Sequence, residues 1–190
     1  MSSDVFSNYL LAGEQLVWWD RPKQGILLTP RDGLLIPFSL MWGGFAVFWE
    51  YSVVFSTHAP FFFKLWGIPF VLAGFFMVVG RFFVDAWLRQ NTSYGLTNRR
   101  VLIVRTPPFA SFSALNLDQL PVVELKEGSD GSGTIKFGTA STSYGYRTST
   151  GFGGWIPALD SRPQFLAIPD VKRVFNEIEK RQPAAQTAAR

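Results

Sequence analysis

The chain has 190 residues, of which 47% are hydrophobic, 16% aromatic and only 17% charged. It has no cysteine and a single histidine, His58, which excludes disulfide frameworks, zinc–thiolate and iron–sulfur sites, thiol nucleophiles and His-cluster metal sites. The formal net charge of +4 is mildly basic and forms no stripe, so a nucleic-acid partner is not expected.

The first apolar segment, Val5-Phe6-Ser7-Asn8-Tyr9-Leu10-Leu11, has helical spacing and stops at Gly13. It fits a short interfacial helix or a helix docked on a soluble domain. No basic region precedes it, so a cleaved leader is not expected. From Leu34 to Gly80 the only formally charged residues are Glu50 and Lys64. Two apolar stretches, 34–55 and 61–84, flank the short loop Ser56-Thr57-His58-Ala59-Pro60. Each is long enough to span a hydrocarbon core of ~30 Å at ~1.5 Å per residue, which predicts two membrane helices. Trp42, Trp49, Trp66 and Trp87 include rings near the ends of these stretches, where an interfacial aromatic belt would place them. Arg21, Lys23 and Arg31 precede the hairpin, and Arg81, Arg89, Arg99, Arg100 and Arg105 follow it, while the loop has no basic residue. The excess of positive charge on one side predicts both termini in the cytoplasm.

Beyond Trp87 the pattern turns strand-like. Residues 93–97 and 101–105 flank Asn98-Arg99-Arg100, and a tight hairpin about Asn98 is expected because Asn tolerates positive φ. Residues 111–117, 122–127 and 134–138 read as further strands, and 164–168 leads to Pro169-Asp170, where a helix begins. The Gly/Ser/Thr-rich stretch 140–163 reads as loop with room for one short strand. Val171, Val174, Phe175 and Ile178 form an i, i+3, i+4, i+7 stripe that predicts an amphipathic helix. The tail 183–190 is expected to be disordered.

Four groups of residues in this order carry a family resemblance: Gly13-Glu14-Gln15-Leu16-Val17-Trp18 with Arg21-Pro22; Tyr94-Gly95-Leu96-Thr97-Asn98-Arg99-Arg100-Val101; Gly133-Thr134-Ile135 with Phe137; and Phe165-Leu166-Ala167-Ile168-Pro169-Asp170 leading to Val174-Phe175. Together they resemble the membrane-anchored bacterial pleckstrin-homology-like proteins, which place a PH-type domain behind a two-helix transmembrane anchor. The resemblance implies a membrane α-helical hairpin plus a mainly-β, partly open barrel of about seven antiparallel strands, closed by one C-terminal helix. It also implies a bacterial inner-membrane location, no cofactor and no catalysis. The expected organisation is an N-terminal cytoplasmic or interfacial segment (1–32), the hairpin (33–85), the PH-like domain (86–182) and the tail.

Glu50 is the one carboxylate inside a predicted span, ~24 Å along the first helix, and Lys64 enters the second at a similar depth. An intramembrane ion pair between them is expected, with a proton or ion site at Glu50 as the functional counterpart. Arg81, Arg89, Arg99, Arg100 and Arg105 are the candidates for lipid or partner contact, since guanidinium groups match phosphates bidentately. For Arg99, Arg100 and Arg105 hairpin-turn or fold-supporting roles are the favoured reading, because strand 93–97 runs away from the membrane. Arg81 and Arg89 are better placed at the interface, and Arg81 can pair with Asp85 one turn on. The glycines of 128–133 and 151–154 lack the Lys-Ser/Thr of a phosphate loop. No catalytic or metal site is expected.

Three functions are compatible with this pattern. The leading one is an interaction module that holds a protein partner, or further copies of the chain, at the cytoplasmic face. The second is a sensor of anionic lipid in the bilayer, acting through Arg81, Arg89 and the barrel rim. The third is an oligomeric channel or transport subunit built around Glu50, with Gly43, Gly44, Gly67, Gly74 and Gly80 allowing close helix approach.

Overall fold

A computed structural model of the chain describes residues 4–120, 122–138 and 152–182. Helix α1 (Asp4–Ser7) and strand β1 (Leu16–Asp20) precede the long helix α2 (Asp32–Val54). The chain returns through α3 (Phe61–Trp66), α4 (Ile68–Phe75), a π-helical turn (Phe76–Gly80) and α5 (Arg81–Gln90). Strands β2 (Thr92–Thr97), β3 (Arg100–Arg105), β4 (Ser111–Asn116), β5 (Val123–Glu127), β6 (Gly133–Phe137) and β7 (Gln164–Ile168) follow, and α6 (Val171–Glu179) ends the fold. The tail 183–190 and the first half of the 140–163 stretch expected as loop lie outside the described residues.

Two helical stretches, Asp32–Val54 and Phe61–Gln90, are long and apolar enough to cross a membrane, and most of their side chains face outward. The returning stretch breaks at Gly67 because Pro69, in the first turn of α4, has no N–H to extend the ladder of α3. It also continues to Gln90, beyond the expected end at Val84, since Arg81, Asp85, Leu88 and Arg89 give α5 a buried face. The two helices touch backbone to backbone at Gly43 and Gly74, where a Cβ added to Gly74 would lie 2.9 Å from Gly43 Cα. These two glycines therefore pack the hairpin within one chain. Gly74→Val should cost about 1–3 kcal/mol by wedging the helices apart. Gly44→Val, which meets open space, should leave thermal unfolding in nanodiscs unchanged.

The strands form two antiparallel sheets, β1-β2-β3-β4 and β5-β6-β7, and no ladder joins them into a closed barrel among the described residues. Strand β1 comes from the segment that the sequence reading set apart from the β domain. It pairs with β2 in the register Trp18↔Leu96, Trp19↔Gly95 and Asp20↔Tyr94, so the hairpin is an insertion between neighbouring strands of one sheet. The expected β2–β3 hairpin forms, but not through a left-handed Asn98. Among the described non-glycine residues only Ala167 and Asp170 have positive φ. Instead the Thr97 hydroxyl oxygen accepts the amides of Arg99 and Arg100, while Asn98 exchanges hydrogen bonds with the Gln15 backbone beside β1.

The main core lies between the sheets, around Leu96, Val101, Ile135, Phe137, Phe165 and Ile168, and α6 closes it with Val171, Val174 and Ile178. Phe175, the fourth residue of the expected stripe, is partly buried against the same core. On the opposite face of the first sheet Phe6 is fully buried against Leu102 and Val104. Helix α1 is thus docked on the β domain, which decides between its two expected positions.

Candidate functional site

The residues that join the hairpin to the sheets lie at i, i+4 and i+8 on α5, so Arg81, Asp85 and Arg89 share one face. The expected Arg81–Asp85 pair does not form. Arg81 reaches across to the first turn of α2, where its Nη1 lies 2.7 Å from Asp32 Oδ1, with both side chains almost wholly buried. Its Nε donates to Met77 O at 3.0 Å, and its guanidinium lies 4.3 Å from the Phe82 ring centroid. The other oxygen of Asp32 accepts the Thr29 amide and hydroxyl at 2.6 and 2.8 Å, which ties down the start of α2. Asp85 pairs one turn forward with Arg89 at 2.8 Å and accepts the Ala158 amide at 2.9 Å. Arg89, only 1% exposed, then donates to the carbonyls of Lys23 and Gly25, on the chain leaving β1. Trp155 lies against Phe38 of α2 at 6.2 Å between ring centroids. The Asp32–Arg81 pair thus ties the two legs of the hairpin to each other, and the Asp85–Arg89 pair ties the returning leg to Ala158 and to the chain leaving β1.

A third polar cluster locks α1 and β1 to the sheet. The Glu14 carboxylate accepts from Leu11 N, Thr97 Oγ1 and Arg100 Nε at 2.8, 2.7 and 2.9 Å, and from Arg100 Nη2 at 2.5 Å. The bidentate Arg100 contact holds its carboxyl well below the usual carboxylate range, at about 2. Of the five candidate arginines, Arg81, Arg89 and Arg100 are therefore each neutralised by a carboxylate inside the fold. The Arg99 side chain is exposed and forms no ion pair among the described residues.

Arg105 differs from all of these. It lines a cavity of about 500 Å³ between α5, the inner face of the first sheet and the 158–164 segment. Its Nε donates to Thr92 Oγ1 at 3.2 Å and its Nη2 to Ala158 O at 2.9 Å. No carboxylate lies within ion-pair distance of it among the described residues, and burial pushes its pKa below the ordinary arginine value. The other charges beside the cavity are paired: Arg89 with Asp85, Asp160 with Lys136 at 2.6 Å, and Arg162 with Asp160 and Glu124 at 3.6 Å. Gln164, 8% exposed, also lines it; its Nε2 donates to Pro157 O at 2.7 Å, while its Oε1 is buried without a partner. Tyr94 lies deeper, where burial pushes its hydroxyl up to about 12. The cavity therefore offers a cationic donor fork, an unused acceptor and apolar walls, a set suited to binding an anion.

Glu50 and Lys64 are not brought together as an ion pair. Glu50 lies instead over the helix break, where a Cβ on Gly67 would meet its Oε2 at 1.7 Å, and that buried oxygen has no hydrogen-bond partner. Among the described residues no group of three or more His, Asp or Glu is placed to hold a metal ion. Sequence reasoning missed Glu14, Asp32, Thr97 and Gln164. Asp32 alone left a signal, as an acid at the first turn of an apolar helix, where it favours the positive end of the helix dipole. Comparison of the chain with models of known protein families, with curated proteins and with solved structures finds no match.

Proposed function

We propose that the chain is a membrane-anchored, pleckstrin-homology-like interaction module at the cytoplasmic face of a bacterial inner membrane, which assembles with its own copies and presents them to a partner. Support for the PH-like reading comes from its strands, four in one sheet and three in the other, with one helix behind the last. Support for the anchor comes from the outward-facing apolar side chains of the hairpin, Leu34, Met41, Phe45, Phe48 and Leu72 among them.

The observation that carries the module reading is the direct join of the returning helix to the sheet. Helix α5 ends at Gln90 and β2 begins at Thr92, while β1, on the other side of the hairpin, is β2's neighbour in the sheet. A domain held this way keeps a fixed height and orientation above the bilayer, which suits a scaffold better than a long-reach tether. Strand β4 is an edge of its sheet among the described residues, with Phe112 40% exposed, and is the position this reading assigns to strand addition. Native mass measurement of the chain in nanodiscs, without cross-linker, should give a discrete oligomer, and Phe112→Lys should reduce it to monomer. A monomeric wild type would remove the self-assembly reading.

A further inference from the structure

The cavity beside Arg105 has the properties of a headgroup site. About 20 helical residues cross a hydrocarbon core, so a span that begins at Phe61 leaves the core near Gly80. The turns that follow stand at headgroup depth, and Val84 and Leu88 on those turns form one wall of the cavity. Phe109, another lining residue, is 60% exposed and packs edge-on against the exposed Trp87 of α5 at 5.7 Å. Paired aromatic rings at this level suit the boundary between headgroups and chains.

Two polar groups inside are incompletely satisfied among the described residues. Arg105 has five N–H donors and uses two of them on Thr92 and Ala158. Its charge has no counter-ion among the described residues, which is costly for a cation whose surroundings disfavour charge by burial. Gln164 Oε1, nine-tenths buried, needs a donor that the described residues do not supply. An occupant that satisfies both carries a negative oxygen pair for the guanidinium and a neutral hydroxyl for the amide. A phosphodiester with a hydroxylated head has that chemistry, and guanidinium binds its oxygens as a fork.

We propose that this cavity binds the headgroup of an anionic phospholipid, its phosphate on Arg105 and a headgroup hydroxyl on Gln164 Oε1, with the acyl chains leaving past Phe109 and Trp87. The lipid source rests on the membrane reading of the hairpin, because a free phosphodiester shares the same recognition chemistry. A chain that does not enter nanodiscs at all defeats the membrane reading, before any bound lipid is counted.

The test uses the full-length chain in nanodiscs of equimolar phosphatidylcholine and phosphatidylglycerol, released into detergent and weighed by native mass spectrometry. One phosphatidylglycerol per chain should be retained in preference to phosphatidylcholine. Arg105→Gln should weaken retention about ten- to hundred-fold, as expected for loss of a hydrogen-bonded charge, and Arg105→Lys should keep most of it. Ser111 is the cross-strand partner of Arg105 and lines the same cavity. Ser111→Asp would supply an internal counter-ion at a distance of about 5 Å without removing the arginine, and should abolish retention in a protein that still folds. Equal retention of both lipids, or undiminished phosphatidylglycerol on a folded Ser111→Asp protein, would overturn the proposal. Full displacement by soluble glycerophosphoglycerol would overturn the lipid source and assign the site to a free phosphodiester.

Discussion

Replacing Arg89 by methionine should destabilise the protein by about 3–5 kcal/mol, the usual cost of stripping one partner from a buried ion pair. The substitution leaves Asp85 charged in a site where both side chains of the pair are almost wholly buried, with the Ala158 amide as its remaining partner. It also takes the donor from the Lys23 and Gly25 carbonyls, so the strand entering the hairpin loses its hold on the helix leaving it. Thermal unfolding of nanodisc-embedded protein, followed by circular dichroism, reads the loss. Asp85→Asn combined with Arg89→Met should be less damaging than Arg89→Met alone, because no lone charge is then buried. Arg99→Met, on an exposed side chain, should stay within about 0.5 kcal/mol of wild type. Equal effects at positions 89 and 99 would show that the buried pair does not hold hairpin and domain together.

The second large effect is at Glu14, and it depends on pH. Its folded-state pKa is lowered to about 2, chiefly by Arg100, with Leu11 N and Thr97 Oγ1 helping. A depressed carboxylate binds fewer protons in the fold than in the unfolded chain. Its contribution is therefore complete above the unfolded value near pH 4–5, and is lost as pH falls toward 2. At about 1.4 kcal/mol per pH unit the shift corresponds to about 3 kcal/mol near neutral pH. Glu14→Gln should lower stability by an amount of this order at pH 7 and flatten the fall in stability between pH 5 and 2. An acid limb as steep in the variant as in the wild type would contradict the assignment.

The same residues show what was legible in the sequence. Both apolar stretches, the α6 stripe and the strands around 93–97, 101–105, 111–117, 122–127 and 134–138 follow from patterns within a dozen residues, and those local signals survive folding, whereas β7 at 164–168 was not read as a strand. Strand β1 was not legible, because Leu16-Val17-Trp18-Trp19-Asp20 is short and its partner β2 lies beyond the entire hairpin. The word Leu96-Thr97-Asn98-Arg99-Arg100 reads in the sequence as a hairpin turn with fold-supporting arginines, without showing what they hold. Its structural meaning is the bond from Thr97 to Glu14, 83 residues away, and the bidentate Arg100 contact beside it. Arg81 was assigned to Asp85 because an i, i+4 partner is the nearest one visible along a helix. Asp32 wins because the hairpin returns α5 to the start of α2, a tertiary fact that no local spacing encodes. The cavity was invisible for the same reason, being assembled from α5, three strands and the 158–164 segment.

In the proposed arrangement the hairpin crosses the membrane and the β domain lies on the side of its basic flanks. The chain lacks cysteine, so single thiols can be placed without background. His58, in the exposed loop between α2 and α3, and Ser129, in the exposed β5–β6 turn, are the two positions to compare. In intact cells a membrane-impermeant maleimide should label His58→Cys from outside, and should reach Ser129→Cys only after the membrane is opened. Labelling of both positions from the same side would contradict the account.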